Sequence, residues 1–148
     1  MQRWCDAYNK EQNAAIDCHF DLNCDQLKIR APTNILRIAA EKVVHNALKA
    51  MVKEGVLTVR SQCTNGQIAI DFEDSGPGIP EFARPYFLKR AIQRPPEAQG
   101  QGTGMGALMA RIVARRYRGD LTLLETGKEG TKLRLTFPVY EVGVGIKN

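Results

Sequence analysis

The sequence is poor in most features that announce a function. It has no apolar run long enough to cross a bilayer and no secretory signal. Its four cysteines, Cys5, Cys18, Cys24 and Cys63, show no CxxC spacing, and its two histidines, His19 and His45, complete no zinc pattern. A metal centre built from the chain's own Cys and His side chains is therefore not expected, and the cysteines read as free thiols in a reducing cytosol. Internal repeats and low-complexity tracts are absent, which leaves out repeat arrays and disordered linkers. Charge of one sign is not concentrated either. The net charge of +5 is a modest excess that an anionic ligand or an acidic partner explains as well as nucleic acid. The one local cluster, Arg111, Arg115, Arg116 and Arg118, reads as a solvated helix end, where cations suit the helix dipole. Direct nucleic-acid binding and membrane contact are not expected.

What is present is an ordinary globule. The 148 residues, 43% hydrophobic and 25% charged, suit one domain with a real core. Residues 1–13 are polar apart from Trp4, Ala7 and Tyr8 and read as the tail of a preceding helix or a linker. Residues 14–20 and 27–29 read as short strands around a turn at Asn23-Cys24-Asp25. A helix is predicted from Thr33 or Asn34, either of which can cap it, to about Lys53, with Gly55 as its stop. Leu36, Ala40, Val43, Ala47 and Met51 share its inward face, while Lys42, Asn46 and Lys49 form a separate stripe. Two alternating runs, 56–61 and 67–73, flank Asn65-Gly66, a strong hairpin signal. Residues 80–99 hold four prolines and no sustained period, and read as a long loop with one helical turn near 82–90. A second helix over 105–118 should place Leu108, Met109, Ile112 and Arg116 along one side, with Ile38, Val43 and Ile112 in the core and Gly119 at its end. Strands at 121–124 and 132–137 close the domain at about residue 140, and 141–148 is a tail. This order predicts an α+β fold, a two-layer α/β sandwich with a mixed, mostly antiparallel sheet and its helices on one face.

Two glycine-rich boxes organise the rest. The first, Asp74-Ser75-Gly76-Pro77-Gly78-Ile79, places a carboxylate at the end of a strand. The second, Gly100-Gln101-Gly102-Thr103-Gly104-Met105-Gly106, runs directly into the second helix, where free N–H groups and the helix dipole favour phosphate. One box offers a hydrogen-bond acceptor and the other an anion site, the two needs of a nucleotide.

These boxes, with Glu41-Lys42-Val43-Val44-His45-Asn46 and Gly130-Thr131-Lys132-Leu133, resemble in order and spacing the four motifs of the GHKL superfamily. That superfamily is named for gyrase, Hsp90, histidine kinases and MutL. Within it the chain most resembles the catalytic and ATP-binding domain of a sensor histidine kinase, with the Bergerat fold, over residues 14–140. The resemblance implies that Asn46 holds Mg²⁺ against ATP and that Lys49 approaches the phosphates. It implies that Asp74 accepts from the adenine amine with support from Thr131, and that Gly76 and Gly78 turn the chain under the base. Gly102, Thr103, Gly104, Met105 and Gly106 would line the phosphates. Tyr86-Phe87 would stand for the family's aromatic lid motif, with Lys89 or Arg90 reaching a phosphate. No catalytic residue is implied in this chain, because the phosphoacceptor histidine would sit on a dimerisation domain elsewhere and pass its phosphoryl group to a response regulator. A cytoplasmic domain, monomeric when isolated, is also implied. Two alternatives remain: an ATPase fragment of the gyrase, Hsp90 or MutL type, and an anti-sigma-type serine kinase or regulatory nucleotide-binding module. The hydrolysing members carry Glu where this chain has Lys42, and Glu41 lies roughly 140° round the helix from Asn46.

Overall fold

The computed structural model describes residues 1–24, 28–29, 31–92 and 105–140. Along the chain run α1 (Gln2–Gln12), β1 (Ala15–Leu22), β2 (Lys28–Ile29), α2 (Thr33–Met51), β3 (Glu54–Thr64), β4 (Gln67–Asp74), α3 (Met105–Arg116), β5 (Asp120–Gly127) and β6 (Gly130–Tyr140). The sheet runs β1-β3-β4-β6, and β6 pairs on its other side with β5 and, near its end, with β2. Asn65 and Gly66 both have positive φ, the backbone that a two-residue hairpin between β3 and β4 demands. β1 and β2 form as strands but not as a hairpin. β1 lies parallel to β3, with α2 as the crossover that a parallel pair requires, and β2 joins the far end of β6.

The core lies between the sheet and two helices. α2 contributes the expected Ala40, Val43, Ala47 and Met51, together with Ala39, Val44 and Leu48, a stripe wider than the sequence pattern. Facing them are Leu57, Val59, Ile70, Phe72, Leu133, Leu135 and Phe137, which alternate along their strands. α3 departs from expectation. Ala107, Ala110 and Ala114 are its buried residues, whereas Ile112 is 52% exposed and Met109 39%. The reason is the closeness of α3 to α2: a Cβ on Gly106 would sit 3.6 Å from the Lys42 carbonyl oxygen. At that separation only small side chains fit between the helices, so the alanine face turns inward.

The helix ends also differ from the sequence reading. The N-cap of α2 is Pro32, with no side-chain cap, because Thr33 is already helical and the Ile35 N–H donates to the Pro32 carbonyl at 2.9 Å. The helix ends at Val52, with φ 68°, and not at Gly55. Gly55 lies in β3, where a Cβ would press on Met51 and, at 2.9 Å, on the Ser75 hydroxyl. Likewise Arg118 takes the left-handed conformation after α3, and Gly119 follows it because a Cβ there would strike the Thr136 carbonyl. α1 packs on α2 and β1, burying Cys5. Asn9 fastens it to the edge strand: its side chain accepts the Ile16 N–H at 3.1 Å and donates to the Ile16 carbonyl at 2.9 Å.

The cysteines correct the expectation of four free thiols. Cys24 and Cys63 are joined as a disulfide with their Cα atoms 6.4 Å apart, tying the segment after β1 to the hairpin end of β3. Cys5 and Cys18 remain thiols, and burial pushes both above the ordinary thiol range. The alternation that places Cys63 on its strand gives no sign of what the loop after β1 brings beside it, so the pairing is not visible in the spacing. The bond closes a loop of about 40 residues, for which chain entropy gives about 4 kcal/mol of stabilisation. A reducing agent, or Cys24→Ser, should lower the unfolding free energy measured by urea titration by a comparable amount. The unfolded chain should titrate two thiols without reductant and four with it.

Asp120 links α3 to β5, accepting from Arg111 Nε at 3.0 Å and pairing in charge with Arg115 Nε at 3.3 Å. Partial burial raises its carboxyl, but the Arg111 hydrogen bond, the Leu121 N–H and both guanidinium charges outweigh that and hold it below the ordinary range. A lowered folded pKa means stability that is present above about pH 4 and is lost as pH falls through the folded value. Asp120→Asn should therefore lower stability at neutral pH and flatten the acid limb of a stability–pH curve measured by urea unfolding.

Candidate functional site

Asp74 closes β4 on the face covered by the helices and is 7% exposed. One carboxylate oxygen accepts the Gly76 N–H at 2.9 Å, and the Thr131 backbone N–H lies near the group from the register position opposite in β6. Burial pushes this carboxyl above its ordinary range, the two N–H groups pull it back in part, and the Glu73 charge raises it. A carboxyl kept out of water and held by backbone donors on one side is a preorganised acceptor for a donor arriving on the other.

The glycines around it are set by contact. Gly78, with φ +82°, crosses the β5–β6 hairpin so closely that a Cβ would meet the Gly127 carbonyl. Gly130, with φ +134°, passes over Asp74, whose carbonyl a Cβ would strike. The first glycine box is thereby pressed against the closing hairpin. A second link is polar: the Ile79 N–H donates to Thr126 Oγ1 at 2.8 Å, and that oxygen lies 3.1 Å from Thr131 Oγ1. A cavity of about 360 Å³ opens here, lined by Glu73, Asp74, Thr126, Gly127, Gly130 and Thr131 among others. Asn46 and Gly106 do not line it.

α2 joins the first glycine box to the start of α3. Near its end, Gly76 approaches Ala50, with a Cβ there 3.5 Å from the Ala50 methyl, and Ser75 Oγ lies 3.7 Å from Met51 Sδ. Two turns earlier, the Lys42 carbonyl meets Gly106 in the first turn of α3. Asn46 sits half-buried between these points, with Lys49 exposed near the first box. The eight residues from Lys42 to Ala50 correspond to about 12 Å of helix. Met105 and Gly106 open α3 as predicted, while Gly102, Thr103 and Gly104 lie outside the described residues.

Residues 80–90 form successive turns where the sequence predicts one helical turn within a long loop, and residues 93–99 of that loop lie outside the described residues. The Ala83 and Arg84 N–H groups donate to Pro80, and the Lys89 and Arg90 N–H groups to Tyr86. Phe87 and Leu88 are buried. Arg84 Nε holds the Ile79 carbonyl at 2.9 Å, and Arg111 of α3 holds the Leu88 carbonyl at 2.7 Å. Arg90 lies 3.8 Å over the Tyr86 ring, so the described geometry gives its guanidinium an aromatic partner.

Sequence reasoning missed Thr126. The signal was available: counting back from Gly127-Lys128-Glu129-Gly130 pairs Thr126 with Thr131 across the hairpin.

Comparison with known proteins agrees with this architecture. The chain belongs to the family described as histidine kinase-, DNA gyrase B-, and HSP90-like ATPase, whose model matches residues 32–141. It is 28% identical over 120 residues to the sensor protein BceS of Halalkalibacterium halodurans, covering 80% of this chain and 36% of that protein. It is 24% identical over 130 residues to the adaptive-response sensory kinase SasA of Gloeothece citriformis, covering 87% and 33%. The chain thus spans about a third of the length of these curated relatives. The mycobacterial sensor histidine kinase MprB shares the fold with a TM-score of 0.70 at 20% identity, over 95% of this chain and 93% of that one. No helix among the described residues is long and apolar enough to cross a membrane.

Because the folded pKa of Asp74 is raised, its ionised form is disfavoured in the fold. That cost is absent below the unfolded value near pH 4 and full above the folded value. Asp74→Asn, which keeps an acceptor for both N–H groups, should therefore raise the unfolding free energy of the ligand-free chain at pH 7. The difference from wild type should shrink toward pH 3 in the same urea titration. Gly130→Ala should destabilise the chain more than Gly66→Ala, whose Cβ meets open space and costs only the strained φ, about 1 kcal/mol.

Proposed function

We propose that this chain is the Mg·ATP-binding catalytic domain of a two-component sensor histidine kinase. It positions the γ-phosphate for transfer to a histidine on a dimerisation domain, which then passes the phosphoryl group to a response regulator. The buried, backbone-held Asp74 carboxylate carries the reading. A carboxylate accepts from the exocyclic amine of adenine but would face the acceptor oxygen of guanine, and such a mispairing of a buried polar group costs about 1–3 kcal/mol.

The residues fit the rest of the nucleotide. Thr131 supports the contact at Asp74, and Gly76 and Gly78 allow the chain to pass close under the base. Asn46 offers an amide oxygen to Mg²⁺ midway along the α2 face that joins the first box to the start of α3. A Mg²⁺ held mainly by triphosphate and water needs few protein ligands. Lys49 supplies positive charge nearby, and Met105 and Gly106 offer backbone N–H groups at the start of α3. Arg90 reaches a phosphate only by leaving the Tyr86 ring. Lys42 in place of an acid disfavours water activation and hence the ATPase-machine alternative. Catalysis here is positioning and charge stabilisation of the transferring group. We assign residues 14–140 to this unit, α1 to the end of an element leading from the dimerisation domain, and the domain to the cytoplasm.

Mixed with a matched dimerisation domain and Mg·ATP, the chain should give an acid-labile, base-stable phosphohistidine on that domain and little free phosphate alone. Rapid hydrolysis by the isolated chain, or phosphoserine on an added substrate, would overturn the histidine kinase reading.

A further inference from the structure

The Thr126–Thr131 pair asks which hydroxyl holds the proton between them. The Ile79 N–H can only donate, so it occupies one lone pair of Thr126 Oγ1, at 2.8 Å. An oxygen that already accepts a hydrogen bond is a poorer second acceptor and a stronger donor, since hydrogen bonds in a chain polarise one another. Across the 3.1 Å between the hydroxyls, the favoured bond therefore runs from Thr126 to Thr131. Thr131 then keeps its own proton for a third group. Its backbone stands opposite Asp74 in the sheet register, and the residue is 8% exposed and lines the same cavity as that carboxylate.

We propose that Thr126 is a positioning residue that sets the hydrogen-bond polarity of Thr131, so that Thr131 presents a proton to a ring-nitrogen acceptor beside the amine received by Asp74. This rests on the nucleotide-binding reading above. The acceptor at Asp74 and the donor at Thr131 together match the amine and adjacent unprotonated ring nitrogen of an adenine edge. A guanine edge offers the reverse, a ring N–H and a carbonyl oxygen. Thr126 is thus a determinant of base selectivity without touching the base.

The test is calorimetric titration of the full chain with non-hydrolysable ATP and GTP analogues, for wild type, Thr126→Val and Thr126→Ser. Val keeps the shape and removes the hydroxyl, whereas Ser keeps the hydroxyl. Thr126→Val should reduce the adenine-over-guanine preference by about tenfold, the scale of one mispaired polar contact, and Thr126→Ser should restore it to within about threefold of wild type. A merely structural role would weaken both nucleotides alike and leave the ratio unchanged, which overturns the proposal, as does a Ser variant as unselective as the Val variant. Should Thr126→Val fail to fold, the ligand side decides. A 1-deazaadenine nucleotide, with C–H in place of the ring nitrogen, should bind wild type about tenfold more weakly than the adenine nucleotide. Equal binding overturns the relay. Wild type that binds no adenine nucleotide overturns the nucleotide reading itself, whereas binding with selectivity indifferent to Thr126 overturns the relay alone.

Discussion

Asp74 is a carboxyl group placed where little water reaches it, at the end of a central strand, and the local structure is arranged around that constraint. Desolvation works against its charge, so the fold sets backbone N–H groups beside it, that of Gly76 hydrogen-bonded in its own loop and that of Thr131 nearby across the sheet. Both need the chain to come closer than a side chain allows. Gly78 and Gly130 permit that approach, one over the Gly127 carbonyl and the other over Asp74 itself. The first glycine box and the closing hairpin are thus two halves of one device, although about fifty residues of sequence separate them.

Close approach also governs the helical layer. α3 meets α2 through alanines and Gly106, which brings the first turn of α3 against the turn of α2 that carries Lys42. The other end of α2 reaches the first box through Ala50 and Met51. One helix therefore sets the spacing between the first glycine box and Gly106, with Asn46 between them. Arg111 extends the arrangement by holding the turn segment at Leu88 and, through Asp120, the start of β5. A rigid frame of this kind suits a domain whose work is to hold a substrate in one geometry.

Much of this was legible in the sequence, for reasons that differ by element. The β3–β4 hairpin follows from Asn65-Gly66, whose backbone preference is local. The buried face of α2 follows from a helical period of apolar residues that includes Val43 and Met51. α3 misleads because its large residues, Met109 and Ile112, lie outside and its alanines inside, a choice made by the neighbouring helix. The helix stops at Val52 and Arg118 mislead because the nearby Gly55 and Gly119 are required for close contact, not for capping. The Cys24–Cys63 bond joins segments brought together only by the parallel β1–β3 pairing, a long-range event that cysteine spacing does not encode. At the site, the boxes declared Asp74 and Thr131, while Thr126 required the register of the β5–β6 hairpin.

The account stands or falls on whether the buried carboxyl reads an adenine base. The most direct measurement is calorimetric titration of this chain and its Asp74→Asn variant with a non-hydrolysable ATP analogue, with and without Mg²⁺. The account predicts Mg²⁺-assisted binding by the wild type and a loss of at least about tenfold in the variant, which stays folded. Equal binding by both chains, or none by the wild type, would contradict it.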